Sequence, residues 1–139
     1  MRWVIKDYSK LHHITRKYLC DATPNDKDDY MRAAASKSNP RSGDYLAIAM
    51  FSGRNLIGWA MLDFVLSKSS PCLRVYVFVK PQYRRRGYGT LIMKKAREAA
   101  KRRDRDIRVC PWNHRSKKFF QAVKVTREEV APGYALYKE

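Results

Sequence analysis

Residues 77–96 read VFVKPQYRRRGYGTLIMKKA, and this stretch decides the fold. Val77, Phe78 and Val79 end a β-branched and aromatic run that begins at Leu73, and Pro81 cannot continue a ladder. From Gly89 to about residue 103, Ile92, Ala96, Ala99 and Ala100 fall on one side of a helix, with Lys94, Lys95, Arg97, Lys101 and Arg102 around the rest. A strand therefore runs through a short arginine- and glycine-bearing loop straight into a helix. Glycines at 87 and 89 let the backbone turn tightly and bring several amide N–H groups to one point. The first amides of a helix have no partner within it, and the helix dipole adds partial positive charge. Such a corner suits phosphate or pyrophosphate. Two other phosphate loops are excluded: a G-x-G-x-x-G fingerprint would need glycine at Ile92, and no Gly-Lys-Ser/Thr triplet is present. On the glycine spacing alone, an ordinary strand-to-helix turn with solvated arginines is the alternative.

Working outward, Trp3-Val4-Ile5 predicts a first strand. Ser9 stands as a helix cap before a segment in which Leu11, Ile14, Tyr18 and Leu19 fall at helical spacing. Pro24-Asn25-Asp26 breaks that helix, and residues 26–37 predict a second. Strands over 45–51 and 56–66 flank Ser52-Gly53-Arg54-Asn55, a hairpin turn by composition. Beyond the central helix come a strand over 107–112, a helix over 114–123 and a closing hairpin that turns at Ala131-Pro132-Gly133. Strand, helix, strand in the middle demands a parallel pair in an otherwise antiparallel sheet.

The 139 residues, 45% of them hydrophobic, suit one domain over 1–139. No run approaches the length of a membrane span, and MRWVIKDYSK has no signal-peptide character. Three scattered cysteines, Cys20, Cys72 and Cys110, fit a reducing compartment, so a soluble cytoplasmic protein is expected. The net charge of +17 is the outlier. Residues 70–139 carry 19 Lys+Arg against 6 Asp+Glu, whereas residues 1–69 carry 11 against 7. Such a concentration fits a polyanionic partner, whether nucleic acid, acidic protein or phosphorylated cofactor, or simply a highly soluble surface.

The loop from Val79 to Gly89 resembles the acetyl-CoA signature of the GNAT superfamily of N-acetyltransferases. Its Gln/Arg-x-x-Gly-x-Gly/Ala core is matched by Arg84, Gly87 and Gly89, and the preceding Val-x-Pro by Val79 and Pro81. Asn113, Ser116, Phe119 and Phe120 resemble the Asn-x-x-Ala-x-x-Phe-Tyr pattern of the helix after the fifth strand. The resemblance implies an α/β fold with one mixed, mostly antiparallel sheet, a central splayed parallel strand pair and helices on both faces. It implies pyrophosphate on the backbone amides of Arg85, Arg86, Gly87, Tyr88, Gly89 and Thr90, with Arg84, Arg85 and Arg86 nearby. The pantetheine arm of acetyl-CoA would lie along Phe78 and Val79, with Asn113 on its other side and Phe119 and Phe120 in the second motif. An amide N–H near the end of the fourth strand would polarise the thioester carbonyl. The acceptor amine would attack directly, without an acyl-enzyme and without a metal.

Catalytic groups fit the family less well. Members often place a carboxylate early in the fourth strand or in the fifth, where this chain has Leu73 and Arg108. Phe120 stands where a tyrosine often supplies the acid. The substitutes are Asp63, a carboxylate inside an apolar run that desolvation would make basic; Tyr76 in the fourth strand; Cys110, which shares a strand face with Arg108; and Tyr134 after the last turn. The first three have structural alternatives: an edge or paired aspartate, a core tyrosine, an inert buried cysteine. His12 and His13 lack a second ligand pair for zinc.

The expected activity is direct acetyl transfer to an amine on a small molecule, a protein or an aminoacyl-tRNA, by a monomer or homodimer that binds no membrane. A surface of this charge repels polycations. A GNAT-fold module that binds coenzyme, nucleic acid or an acidic protein without efficient catalysis is the alternative. A nucleic-acid-binding protein without coenzyme is the third reading.

Overall fold

A computed structural model describes residues 1–23, 41–65, 72–111 and 113–137. The elements are β1 (Arg2–Asp7), a 3-10 turn (Tyr8–Lys10), α1 (His13–Ala22), β2 (Tyr45–Ser52), β3 (Asn55–Asp63), β4 (Cys72–Val79), α2 (Tyr88–Lys101), β5 (Asp106–Arg108), α3 (His114–Ala122) and a 3-10 turn (Arg127–Glu129). The strands form one sheet in sequence order. Pairing is antiparallel from β1 to β4 and parallel between β4 and β5. The helix expected over 26–37 lies outside the described residues.

Both faces of the sheet centre are covered, so β2 and β3 read as near-continuous apolar runs. On one face Ile48, Ala60, Leu62 and Val75 pack under Ile92, Met93 and Ala96 of α2 and Phe120 of α3. On the other, Ala47, Trp59, Met61 and Phe78 pack with Tyr8, Leu11 and Leu19. The buried Trp59 indole donates to Thr23 Oγ1 at 2.9 Å, and that hydroxyl donates to the Leu19 carbonyl at 2.9 Å, which ties the end of α1 to the sheet.

Three expectations require correction. The α1 cap is His12, whose Nδ1 accepts the Ile14 N–H, while Ser9 sits in the preceding 3-10 turn bonded to Asp7. Because the helix starts that late, Ile14 and Tyr18 face outward, 64% and 40% exposed. Among the described residues, the strand expected over 107–112 is only three residues long, and the closing hairpin does not pair as strands. After Arg108 the chain turns from β4 to a later segment: the Val109 N–H donates to Glu129 O at 2.7 Å and the Ala131 N–H to Val109 O at 2.9 Å, a parallel bridge of Val109 with Val130. A turn does form after Ala131, closed by the Tyr134 N–H on the Ala131 carbonyl. Beyond it Gln121 and Tyr137 side chains hold the chain through backbone carbonyls instead of a ladder.

That diversion opens the sheet. The last β4–β5 pair is Arg74 with Arg108, yet β4 continues to Val79. Along residues 75–79, β4 has no described neighbour on its β5 side. The diverting segment is clamped to α2, where Arg97 Nε and Nη2 donate to Glu129 at 2.7 and 3.0 Å. Burial works to raise the Glu129 carboxyl, but the bonds from Arg97 and Thr126 hold it below the usual glutamate value.

Candidate active site

The gap has a backbone wall. The Lys80 N–H donates to the Ile57 carbonyl at 2.9 Å. Alternation in an antiparallel pair then turns the peptide groups of Val79, Val77 and Val75 away from β3, into the gap. The close approach of β3 and β4 here depends on Gly58, where a Cβ would lie 2.6 Å from the Phe78 carbonyl oxygen. Glycine inside an otherwise apolar strand was the sequence signal for it. Arg84 bends back so that its Nε donates to the Val79 carbonyl at 2.8 Å, with its guanidinium 5.7 Å from the Phe78 ring centre. Burial, and then the Arg115 guanidinium at the start of α3, lowers the Arg84 pKa.

At the end of β4 the backbone curls. Arg85 (φ 63°) and Gly87 (φ 84°) are both left-handed, a conformation that turns neighbouring N–H groups toward one side. Gly87 is the N-cap of α2 and makes no side-chain cap. The first helical bond runs from the Leu91 N–H to the Gly87 carbonyl, so the amides of Tyr88, Gly89 and Thr90 lie ahead of the ladder. Arg85, Arg86 and Thr90 are exposed, and a Cβ on Gly87 would meet nothing within 4 Å, so the corner is open. The donor set, uncapped amides flanked by guanidiniums, fits a pyrophosphate. Gly89 serves a different end from Gly87: a Cβ there would lie 2.8 Å from Phe119 Cε2, so its bareness lets α3 close on α2.

The second motif is placed in parts. Asn113 caps α3, its Oδ1 accepting the Ser116 N–H at 2.8 Å and its N–H donating to Ser116 Oγ at 3.0 Å. Phe119 leans on Gly89, and Phe120 is core, packed edge-on against Phe119. Tyr88 meets Tyr83 edge-on.

Three of the catalytic candidates come together on the α1 face. Asp63, 2% exposed, ends β3, and its Oδ2 accepts the Tyr76 hydroxyl at 3.2 Å while its Oδ1 accepts the Val65 N–H at 2.8 Å. Tyr76 is the first residue of this face beyond the last β4–β5 pair, so its phenol stands where the gap begins. Burial, and then the Asp63 charge, raises its pKa strongly. Cys110 lies across the gap and acts electrostatically on Tyr76; burial pushes its thiol up while Arg74 draws it down. Tyr134 is half-buried on the segment that draws Val109 away. Arg74 was missed as a site residue: its face is readable from strand alternation, its neighbours are not. Among the described residues no group of His, Cys, Asp and Glu could hold a metal, and no helix is long and apolar enough to cross a membrane. A hollow of about 690 Å³ lined by Lys6, Lys10, Tyr45, Phe64 and Arg103 lies at the C-terminal end of α2, beside the end of β3 that carries Asp63.

The gap thus joins a splayed parallel strand pair to uncapped helix amides at the end of one strand. The chain matches the Acetyltransferase (GNAT) family over residues 8–123 and belongs to that family. No curated protein matches the sequence. Similar solved structures share the fold at low identity. GCN5 from Tetrahymena is 13% identical, with a TM-score of 0.67 over 100% of this chain and 91% of that one. AAC(6')-Iy in complex with the bisubstrate analogue CoA-S-monomethyl-acetylneamine is 18% identical, with a TM-score of 0.62 over 97% and 98%. An aminoglycoside acetyltransferase from an uncultured soil metagenomic sample, in complex with sisomicin, is 11% identical, with a TM-score of 0.62 over 99% and 96%.

Proposed function

We propose that the chain is a single-domain, acetyl-CoA-dependent N-acetyltransferase of the cytoplasm, transferring acetyl directly to an amine. The observation that carries this reading is the junction of the β4 edge at residues 75–79, which has no described strand neighbour on its β5 side, with the amides of Tyr88, Gly89 and Thr90 ahead of the α2 ladder. When bound, acetyl-CoA supplies the activated acetyl thioester. The amides of residues 85–90 hold its pyrophosphate with Arg84, Arg85 and Arg86. The β4 edge, with Phe78 and Val79, receives the pantetheine arm as an added strand. The N–H groups of Val77 and Val79 face the gap as donors to a carbonyl oxygen.

Proton handling falls to the α1 face. An acceptor ammonium must lose a proton before its nitrogen can attack. Tyr76 accepts that proton on its oxygen while passing its own to Asp63 Oδ2, so the proton ends on the carboxyl, which becomes neutral, and the phenol is restored. Cys110 keeps its proton at neutral pH, which makes it a donor at the far side of the gap and not a nucleophile.

Calorimetric titration of acetyl-CoA, followed by amine acetylation, tests the reading. Saturable one-to-one binding that Gly87→Val weakens by roughly a hundredfold in a folded protein is expected. Unchanged affinity in that variant would remove the coenzyme corner from the argument.

A further inference from the structure

The row of side chains just before the gap is charged across three strands. Asp63 on β3 stands opposite Arg74 on β4, and Arg74 stands opposite Arg108 on β5. Ile107 and Val109 are buried with α2, so Arg108 and Cys110 face the α1 side, as do Arg74, Tyr76 and Phe78. Neighbouring strands lie about 4.8 Å apart, so a carboxylate and two guanidiniums stand side by side. Opposite charges in such positions stabilise a sheet, and like charges directly opposite destabilise it. Asp63 offsets one guanidinium while also accepting from Tyr76 and Val65. Arg108 Nη1 donates at 2.8 Å to the Ile107 carbonyl, a neutral group on its own strand. The row carries a surplus positive charge, and the Arg74 charge is felt at both Tyr76 and Cys110. Tyr76 is two residues further along the same face, about 6.6 Å away along the strand.

We infer that Arg108, together with Arg74, is an anion subsite for the acceptor, so that the acceptor amine carries a carboxylate or phosphate within a few bonds of its nitrogen. The inference rests on the acetyltransferase reading and gives it a substrate class. Guanidinium groups grip both anions through paired N–H donors. With the anion on Arg108, a compact acceptor directs its nitrogen along the strand toward Tyr76. A polycation such as sisomicin would meet repulsion at this row.

Matched acceptors test the subsite: leucine against leucinamide, and phosphoethanolamine against ethanolamine. Each is titrated calorimetrically into the protein with and without CoA at low salt. The anionic member of at least one pair is expected to bind tenfold or more tightly than its neutral partner, and the pair that discriminates identifies the anion. Arg108→Gln should erase the preference and Arg108→Lys retain part of it, with CoA affinity unchanged in both. In acetyl transfer, Arg108→Gln should raise KM for the anionic acceptor more than it lowers kcat. Equal or reversed preference in the native chain, absence of binding by every anion, or a preference unchanged in Arg108→Gln would overturn the subsite. Failure to bind CoA would overturn the acetyltransferase reading instead, while the titrations without CoA still decide the anion preference.

Discussion

At the α2 end of β4, the groups that face a ligand are mainly peptide amides, placed by two left-handed residues, a strand edge and a helix start. At the other end of the gap they are side chains, Asp63, Arg74, Tyr76, Arg108 and Cys110, gathered from three strands. The first region is local: about ten consecutive residues contain nearly all of it. The second exists only when strand register brings residues 63, 74 and 108 into one row. A site of amides tolerates changes in most of its side chains, whereas a site of side chains is sensitive to each of them. The two regions should therefore fail differently when altered.

The largest effect is expected at the backbone region. A β-branched residue at the left-handed Gly87 is disfavoured by its φ of 84°, although space is available. Gly87→Val should cost coenzyme affinity on the order of a hundredfold, about 2.7 kcal/mol, with a near-native melting curve. Loss of folding along with affinity would mean that the corner is structural, and the contrast with the side-chain region would disappear.

Next comes the proton relay. Asp63→Asn should lower kcat by roughly a hundredfold with coenzyme affinity unchanged, and Tyr76→Phe by a similar factor. Because Tyr76 acts through Asp63, the double variant should be little worse than Asp63→Asn alone, which a double-mutant cycle on kcat would read. Additive losses would break the relay into two separate roles.

Gly58 joins the two regions. A Cβ there collides with the Phe78 carbonyl at 2.6 Å, a backbone atom that cannot swing aside. Gly58→Ala should destabilise the chain by about 2 kcal/mol in denaturant titration and weaken coenzyme binding, since the strand that moves is the edge itself. A neutral substitution would show that the strand separation is less constrained than the contact implies.

The smallest effect concerns what holds the gap open. The folded-state pKa of Glu129 lies below its ordinary value, so its stabilising contribution is full above the usual glutamate range and is lost as pH falls through the lowered pKa. Glu129→Gln should cost about 1 kcal/mol near neutral pH, and the difference from the native chain should shrink in acid, as melting temperatures across that range would record. A difference that grew in acid would contradict the clamp.

How much of this was legible in the sequence follows the same division. Strand, loop and helix over residues 77–96, the parallel pair and the tight glycine turn ahead of the helix were readable because propensity, glycine placement and helix-end amides act within a short span. The bond from Tyr76 to Asp63 was not, since it depends on Met61 lining up with Tyr76 and Asp63 with Arg74. Nor was the fate of the C-terminal segment: its turn residues were evident, but whether the flanks pair depends on Val109 choosing residues 129–131 over β4. The outward face of α1 was misjudged because the spacing of Ile14 and Tyr18 suits a buried stripe, while the cap at His12 decides which way it turns. Gly89 matched a motif for one reason and is required for another, the approach of Phe119.

The unpaired length of β4 has a colloidal consequence. A strand edge with free peptide groups is a template on which a second copy can pair. Three arginines follow that edge in the chain, and the whole carries +17, so copies approaching edge to edge repel one another. Salt weakens that guard. A coenzyme lying along the edge would fill it and add negative charge at once. Concentrated, coenzyme-free protein in high salt is where self-association should first appear, and light scattering with and without CoA would reveal the ligand acting as a shield as well as a reactant.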